Sequence, residues 1–310
     1  MHKGVLYMVI SSFAFSLMQL CVKALPHISI AELVIFRSLV SLSICIFFLR
    51  KQQVSIWGNN TKVLLARGFF GIIALTLFFI TLQNIPLASA VTIQYMSPIF
   101  TAFFAIYIMK EKTRLLQWMF FLMAFAGVLI MKGFDDRISY MYLGLGLLSA
   151  SFSGLAYNCI RLLKASEHPL VVVAYFSIVA LPVFGSLTIL NQLGVPGLEF
   201  FSWVWPNLKD LGLLLLLGVF TQIAQLYMTK GIQSDKAGNI MSVKYIGTIF
   251  AFSFGYFIFG ETYSTMSLVG ILLVLAGIIL NIIFKEKSQE FTENGSADNG
   301  PDQSSGRSMA

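Results

Sequence analysis

Three basic residues lie inside long apolar runs of this sequence, where a charge has chemical consequences. Lys244 stands within residues 237–261, AGNIMSVKYIGTIFAFSFGYFIFGE, a stretch that at about 1.5 Å per residue is long enough to cross a bilayer. Arg37 and Arg67 stand in two earlier runs. A charge inside hydrocarbon costs roughly 2.5–3.5 kcal/mol on insertion scales, so it is expected to face a bundle interior or a wet cavity. The first hypothesis is therefore a positive site for an anionic or zwitterionic group.

Each of these cations also has a structural interpretation. Lys244 follows Lys236 closely enough for its long stem to reach towards the membrane surface. Arg37 either contacts a substrate or bonds carbonyls and hydroxyls within the bundle, and the sequence favours neither. Arg67 lies about five residues from the start of its run, which favours an anchor at lipid phosphates over a part in gating or substrate contact.

Uncharged polar residues repeat at helical spacing on several of the same runs. Gln94 lies on a stripe of the fourth run, Gln222 and Gln225 share a face of the eighth, and Tyr157 and Asn158 belong to a polar end of the sixth. Amides inside a membrane either join helices, at roughly 0.6 kcal/mol each, or read a polar ligand. The sequence leaves both roles open.

No pattern in the sequence indicates a metal, a cofactor or a catalytic centre. All three cysteines lie in apolar runs, and the three histidines are scattered among the termini and loops. Neither a carboxylate pair nor an HExxH motif is present. We therefore predict no cofactor, no metal site and no enzymatic activity.

The elements that must position these residues are ten apolar runs. The chain has 310 residues, of which 57% are apolar and 11% charged, and this composition is that of a polytopic helical membrane protein. The continuous runs exclude the alternating strands of a membrane β-barrel. The predicted spans lie at about 4–25, 30–49, 63–83, 87–108, 115–132, 140–162, 169–191, 211–230, 236–259 and 264–284.

The loops give the orientation of the chain. Most of their lysines and arginines fall on the face that holds the N-terminus, which predicts both termini in the cytoplasm and a place in the inner (plasma) membrane. The same rule explains the net charge of +7 without a nucleic-acid partner. Residues 285–310 are polar and are predicted to form a disordered cytoplasmic tail.

An internal repeat divides the spans into two groups of five. A shift of 150 residues places Glu111 on Glu261 and Tyr95 on Tyr245, and it places Gln94 on Lys244. Five is an odd number, so the halves, residues 1–138 and 139–284, enter the membrane in opposite directions, which is typical of secondary transporters. A chance match of two apolar helices is the alternative. An asymmetric charge on a symmetric scaffold suits a bound anion.

The chain resembles the EamA-type members of the drug/metabolite transporter superfamily from about residue 4 to 284. The resemblance rests on the ten spans, the five-plus-five repeat and three segments: IAELVIFRSLV, RGFFGIIALTLFFITLQNIPLASAVTIQYMSPIFTAFFAIYIMKEK and KYIGTIFAFSFGYFIFGE. It implies a transporter that works by alternating access with a site between the halves. It does not imply one substrate.

The resemblance also implies roles for single residues. It places Arg37 in the second helix and Pro98 as an interruption of the fourth, whereas Thr248 stands where the repeat would place a second proline. The Arg67-Gly68 pair is similar to a subset that includes carriers of organic anions and nucleoside metabolites. Glu261 closes the ninth helix, and we expect it to cap the helix that follows.

The leading prediction is thus a secondary transporter of a small polar metabolite: an organic acid, an amino acid or a nucleoside-type compound. A membrane receptor or scaffold without transport is the alternative, and an intramembrane enzyme is less favoured. The partners are the metabolite and the lipid bilayer, with the protein a monomer or a homodimer. The predicted substrate-binding residues are Lys244, Tyr245, Gln94, Tyr95, Gln222, Gln225, Asn158, Tyr157 and Arg37, and the predicted gating or anchoring residues are Arg67 and Pro98.

Overall fold

The computed structural model describes residues 3–110, 115–197, 201–234 and 245–297, and the regular elements of these ranges are all α-helices. Eight segments in these ranges are long and apolar enough to cross a membrane, and two shorter apolar helices follow. The predicted all-helical, polytopic architecture is confirmed. The helices are α1 (Lys3–Lys23), α2 (Ile30–Lys51), α3 (Thr61–Asn84), α4 (Leu87–Gln94), α5 (Ser97–Ile108), α6 (Leu115–Gly133), α7 (Tyr140–Leu162), α8 (Pro169–Gln192), α9 (Leu208–Ser234), α10 (Ile246–Phe259) and α11 (Thr265–Ala297).

The helix ends follow local sequence signals. Ser29 precedes α2 and Ser139 precedes α7, and each hydroxyl accepts a backbone N–H of the first turn. Pro169 occupies the first position of α8, where a missing N–H costs nothing. Gly260 ends α10 in the left-handed region at φ 61°, a conformation that favours glycine.

The fourth span is two helices with a break between them. α4 ends at Gln94, and Tyr95 and Met96 form a turn before α5 begins. Pro98 stands in the first turn of α5, where its ring and its missing N–H prevent a continuous helix through the turn. The interruption therefore comes just before the proline. It places Tyr95 at the break.

Helices from the two halves pack against each other in a reciprocal pattern. By their order in the two halves, α1, α2 and α3 correspond to α7, α8 and α9. The contact of α1 with α9 has its counterpart in the contact of α7 with α3, and the contact of α2 with α9 has its counterpart in that of α8 with α3. α5 packs on α7 as α10 packs on α1, and the contacts of α2 with α8 and of α6 with α11 join equivalent helices. Each contact therefore recurs when the first half is interchanged with the second, as expected for two related five-span halves.

The α6–α11 contact depends on glycines. A Cβ built on Gly127 would lie 2.7 Å from the carbonyl oxygen of Gly270, and one built on Gly270 would lie 2.7 Å from that of Gly127. Small residues allow two membrane helices to approach this closely. α11 itself runs to Ala297, beyond the apolar run that ends near residue 284. Residues 285–297 are thus helical rather than irregular, because good helix formers (Lys, Glu and Gln) continue the last span.

Candidate functional site

A cavity of about 90 Å³ lies between the two halves of the bundle. α1, α3 and α4 line it from the first half, and α7, α8 and α9 line it from the second. It is small beside the roughly 300–1,000 Å³ of typical ligand sites, so a metabolite would enter only if the lining side chains moved. Its polar lining comprises Ser12, Gln19, Arg67, Gln94, Tyr95, Ser153, Tyr157 and Gln225.

The cavity lies about midway along the bundle, because its wall extends from Gln19 in the last part of α1 and Val91 near the start of α4 to residues closer to the end of the bundle where α1 begins, here called the N-terminal end. Arg67 and Phe176 belong to the second turns of α3 and α8, and both of these helices begin at that end. Gln225 and Met228 belong to the last part of α9, which finishes there. The other end of the bundle, where α1 finishes, is called the opposite end.

Arg67 is the cation of the cavity wall. Its side chain is 3% exposed, and its Nη2 donates to Oε1 of Gln225 at 3.5 Å. Nε and Nη1 have no hydrogen-bond partner among the described residues. A buried guanidinium that lines an internal cavity does not reach lipid phosphates, so the predicted anchoring role is wrong for this conformation. The sequence misled because it showed the distance from the helix end and not the direction of the side chain.

Phe176 stacks against Arg67 and also against Arg37. The ring centre lies 5.3 Å from Cζ of Arg67 and 4.5 Å from Cζ of Arg37. Arg37 is 1% exposed, and its Nε and Nη1 also lack a hydrogen-bond partner among the described residues. Gly71 leaves the space for this arrangement, since a Cβ there would lie 2.9 Å from Nη1 of Arg67. Sequence reasoning missed Phe176, because nothing in an apolar run marks one phenylalanine among many.

Gln94 and Tyr95 line the cavity at the break of the fourth span. The Gln94 amide donates to Ser153 Oγ at 2.7 Å and accepts from Ser149 Oγ at 2.8 Å, which joins α4 to α7. The Tyr95 ring meets the Tyr245 ring edge-on at a centroid distance of 5.3 Å. The two tyrosines that the repeat makes equivalent are therefore in contact between the halves. Tyr245 is buried behind Tyr95 and is not part of the cavity wall.

The remaining predicted residues lie elsewhere. Gln222 accepts from Ser41 Oγ at 2.5 Å and donates to Cys45 Sγ at 3.1 Å, which joins α9 to α2. Asn158 donates to the carbonyl oxygen of Thr101 at 3.0 Å, which joins α7 to α5. Both amides act between helices in this conformation, and neither lines the cavity.

Lys244 lies outside the described residues. Of the other predicted residues, the structure brings Gln94, Tyr95, Tyr157 and Gln225 together around the cavity, with Arg67 beside them. Pro98, in the first turn of α5 after the helix break, is not part of the cavity wall.

Glu261 closes the opposite end. Its two carboxylate oxygens accept the backbone N–H of Leu87 at 2.8 and 3.0 Å, and Lys23 Nζ lies 3.5 Å from Oε1. Lys23 also donates to the carbonyl oxygen of Ile85 at 2.6 Å. Glu261 thus caps α4, a helix of the other half, and the expectation that it caps the following helix is wrong. The reason is tertiary: the α4 N-terminus lies nearer to the carboxylate than the start of α11 does.

Tyr263 supports this carboxylate from the loop after α10. Its hydroxyl donates to Glu261 Oε2 at 2.5 Å and accepts weakly from the N–H of Ala88 at 3.4 Å. Burial raises the pKa of the Tyr263 phenol, and the hydrogen bond to Glu261 raises it further. The phenol therefore stays protonated and remains a donor to Glu261.

Two further carboxylates join the halves through backbone amides. Glu167, before α8, accepts from the N–H groups of Asn59 and Asn60 at 2.6 and 2.5 Å, at the N-terminal end. Glu32, in the first turn of α2, accepts from the N–H of Val204 at 2.5 Å, at the opposite end. Charge-assisted bonds of this kind are stronger than bonds between neutral groups. Both ends of the bundle are therefore fastened between halves.

Metal chemistry finds no support in the described part of the chain. Within those ranges, no group of three or more His, Cys, Asp and Glu side chains is placed to hold a metal ion. Cys21, Cys45 and Cys159 are free thiols in the helix interior.

The model of the EamA-like transporter family matches residues 2–132 and 140–283. Two relatives named pseudopaline exporter CntI, from two strains of Pseudomonas aeruginosa, are 30% and 31% identical over 285 and 288 residues, covering 91% of this chain and 96% of the relative. The mouse protein named solute carrier family 35 member G1 is 28% identical over 269 residues, covering 81% of this chain and 70% of that protein.

One solved crystal structure has the same fold. It superposes with a TM-score of 0.63 and covers 92% of this chain and 98% of that chain, at 16% sequence identity. At this identity the likeness concerns the fold alone. The two halves of the family match fall on either side of residues 133–139, which comprise the last residue of α6 and the link to α7.

Proposed function

Because the chain belongs to the EamA-like transporter family, we propose that it is a secondary transporter of a small anionic or zwitterionic metabolite and works by alternating access. The observation that carries the proposal is the central cavity, which both halves line and into which the incompletely bonded guanidinium of Arg67 faces. A site at the contact of two halves changes its access when the halves rock against each other.

The electrostatics of the cavity favour an anion over a cation. Arg67 brings a full positive charge, and its Nε and Nη1 have no acceptor in the described residues. A carboxylate or phosphate oxygen supplies the acceptor and the opposite charge at once. Gln225, Gln94 and Tyr95 then offer hydrogen bonds to the polar remainder of the substrate. Lys244, which lies outside the described residues, stays a predicted further cation of this site.

The end contacts fit a state in which the halves are joined at both ends. Glu261 and Lys23 hold the α4 N-terminus at the opposite end, and Glu167 accepts the N–H groups of Asn59 and Asn60 at the N-terminal end. With both termini in the cytoplasm of a plasma-membrane protein, release of the Glu167 contact would open the site to the cytoplasm. Binding of the substrate near Arg67 would then precede release of the Glu261 contact. Exchange or facilitated diffusion is the simplest mode of transport, because it needs only the concentration gradients of the transported compounds.

Export is the direction that we propose. The two relatives from P. aeruginosa carry the name of an exporter. An inside-negative membrane potential drives a net anion outwards, at about 2.3 kcal/mol per charge per 100 mV. The second point applies only to a substrate with net negative charge. A zwitterion would gain nothing from the potential.

Thermal unfolding of the purified protein tests this function. A panel of anionic, zwitterionic and cationic metabolites is screened on the wild type, on Arg67→Gln and on Arg50→Gln, which removes an exposed charge at the end of α2. We expect stabilisation by an anionic group that is lost in Arg67→Gln and kept in Arg50→Gln. Stabilisation that survives Arg67→Gln contradicts the site.

Flux then separates transport from binding alone. Proteoliposomes loaded with the stabilising compound should exchange it with labelled compound outside, saturably and only with active protein. Saturable binding without exchange would instead support a membrane receptor or scaffold. That outcome would contradict the transport proposal and leave the anion site standing.

A further inference from the structure

Two arginines of the first half stack against one aromatic ring of the second. Cζ of Arg37 on α2 lies 4.5 Å from the centre of the Phe176 ring on α8, and Cζ of Arg67 on α3 lies 5.3 Å from it. Since both distances end at one point, the two guanidinium carbons are at most about 10 Å apart. At 1% and 3% exposure, the two like charges repel each other in surroundings that screen poorly.

No anionic side chain among the described residues compensates this pair. The ion pairs of the described chain, Lys23–Glu261, His27–Asp210 and Arg137–Asp135, all lie at the opposite end of the bundle. Four nitrogen atoms, Nε and Nη1 of each arginine, have no hydrogen-bond partner in the same ranges. Buried donors and charges without partners destabilise a fold, so their presence between the halves points to a ligand.

Phe176 contacts both guanidinium groups, of which only that of Arg67 lines the cavity. Arg67 and Phe176 belong to the cavity wall, whereas Arg37 contacts the same ring without lining the cavity. The aromatic face attracts both cations and so holds them in place while the site is empty. A turn of this one ring away from Arg37 would expose its guanidinium to the cavity.

We infer that Arg37 and Arg67 together bind a substrate with two anionic groups, of which a dicarboxylate is the simplest example. The inference rests on the proposed function and narrows its substrate class. Arg67 binds one anionic group in the cavity. Arg37 binds the second when the Phe176 ring turns aside, and each guanidinium then gains the acceptors it lacks. A substrate with one anionic group would leave the second cation uncompensated.

The test compares the wild type with Arg37→Met, Arg67→Met and the exposed control Arg50→Met, each purified in an uncharged detergent. The first measurement is thermal unfolding without ligand. Methionine removes the buried charge and keeps much of the side-chain volume, so both cavity variants should unfold at a higher temperature than the wild type, and the control should not. A lower unfolding temperature for Arg37→Met identifies a structural arginine and overturns the inference.

The second measurement uses anion pairs of matched shape: succinate against succinamate, and glutarate against glutaramate. The inorganic pair is sulfate against chloride at equal ionic strength. Sulfate stabilises proteins in general, so its effect on the unfolding temperature of the variants serves as the baseline for its effect on the wild type. We expect the wild type to prefer at least one dianion over its partner, and its affinity for that dianion to fall about tenfold or more in either cavity variant. No preference for any dianion in the wild type overturns the inference.

The outcomes separate this inference from the function on which it rests. Loss of anion binding in Arg67→Met alone keeps the central anion site and overturns the two-anion substrate. Unchanged binding in both variants overturns both proposals. A repeat with phosphatidylglycerol in the micelles addresses a lipid headgroup as the source of the anion. If this lipid abolishes the wild-type response to the dianion, the pair binds lipid and the substrate assignment is overturned.

Discussion

The contact between Glu261 and the N-terminus of α4 should control access to the cavity from the opposite end. The carboxylate accepts the N–H of Leu87 through both oxygens and lies beside Lys23, with both side chains mostly buried. Opening that end requires α4 and the loop after α10 to separate, which breaks these bonds. Glu261→Gln keeps the shape and one acceptor oxygen and removes the charge. We predict that it favours the open state.

The size of the effect follows from the bonds that lose their charge. A hydrogen bond to a charged group contributes about 1.5–3 kcal/mol, against about 0.5–1.5 kcal/mol for a neutral pair. The interaction of a carboxylate with a helix N-terminus adds about 0.3–1 kcal/mol. The substitution should therefore destabilise the closed state by about 1–2 kcal/mol, which changes the ratio of open to closed states by about 5- to 30-fold.

A cysteine in the cavity wall reports this ratio. Val91 on α4 lines the cavity and is fully buried, so Val91→Cys is introduced after Cys21, Cys45 and Cys159 have been replaced. A membrane-impermeant thiol reagent is applied to right-side-out and to inside-out vesicles. Because labelling from the opposite end requires the open state, its rate should rise about 5- to 30-fold when Glu261→Gln is added.

Glu167→Gln is the matched control. Glu167 also joins the halves by accepting backbone N–H groups, but at the N-terminal end. It should lower stability to a similar degree without raising the rate at which the introduced thiol is labelled from the opposite end. If Glu261→Gln leaves that rate unchanged, or if Glu167→Gln raises it equally, the Glu261 contact does not control access and the reasoning fails.

Three further predictions concern the break region, Lys244 and the topology. Gly247→Ala should destabilise the protein by about 1–3 kcal/mol in thermal unfolding, because its Cβ would lie 2.0 Å from Oη of Tyr95. Adding Tyr95→Phe should restore much of the lost stability. A single variant as stable as the wild type would contradict this contact. Lys244→Gln should abolish saturable exchange while insertion and folding remain intact, and transport at the wild-type rate would remove Lys244 from the site. A cysteine placed at Ala297 should react only with reagents that reach the cytoplasm, so labelling from outside intact cells would refute the proposed orientation.

Much of the architecture was predictable because it depends on local properties of the chain. Hydropathy over about 20 residues identifies a span, and the odd number of spans per half gives the inversion. The 150-residue offset alone makes Tyr95 and Tyr245 equivalent, and the two rings are in contact. The family resemblance implied an interruption of the fourth span at Pro98, and the helix breaks just before it, since a proline acts on its own helix.

The partner of each polar group was decided by tertiary structure. Gln222 and Gln225 share one face of α9, yet the first bonds α2 and the second lines the cavity, because different helices lie opposite them. Glu261 bonds an amide 174 residues away rather than one in the next helix. Arg67 turns inward because the interior offers the Gln225 amide and the Phe176 ring. The sequence thus determines which residues enter the membrane, since burial in lipid is a property of each segment, whereas a binding site depends on neighbours that only the packing of the two halves supplies.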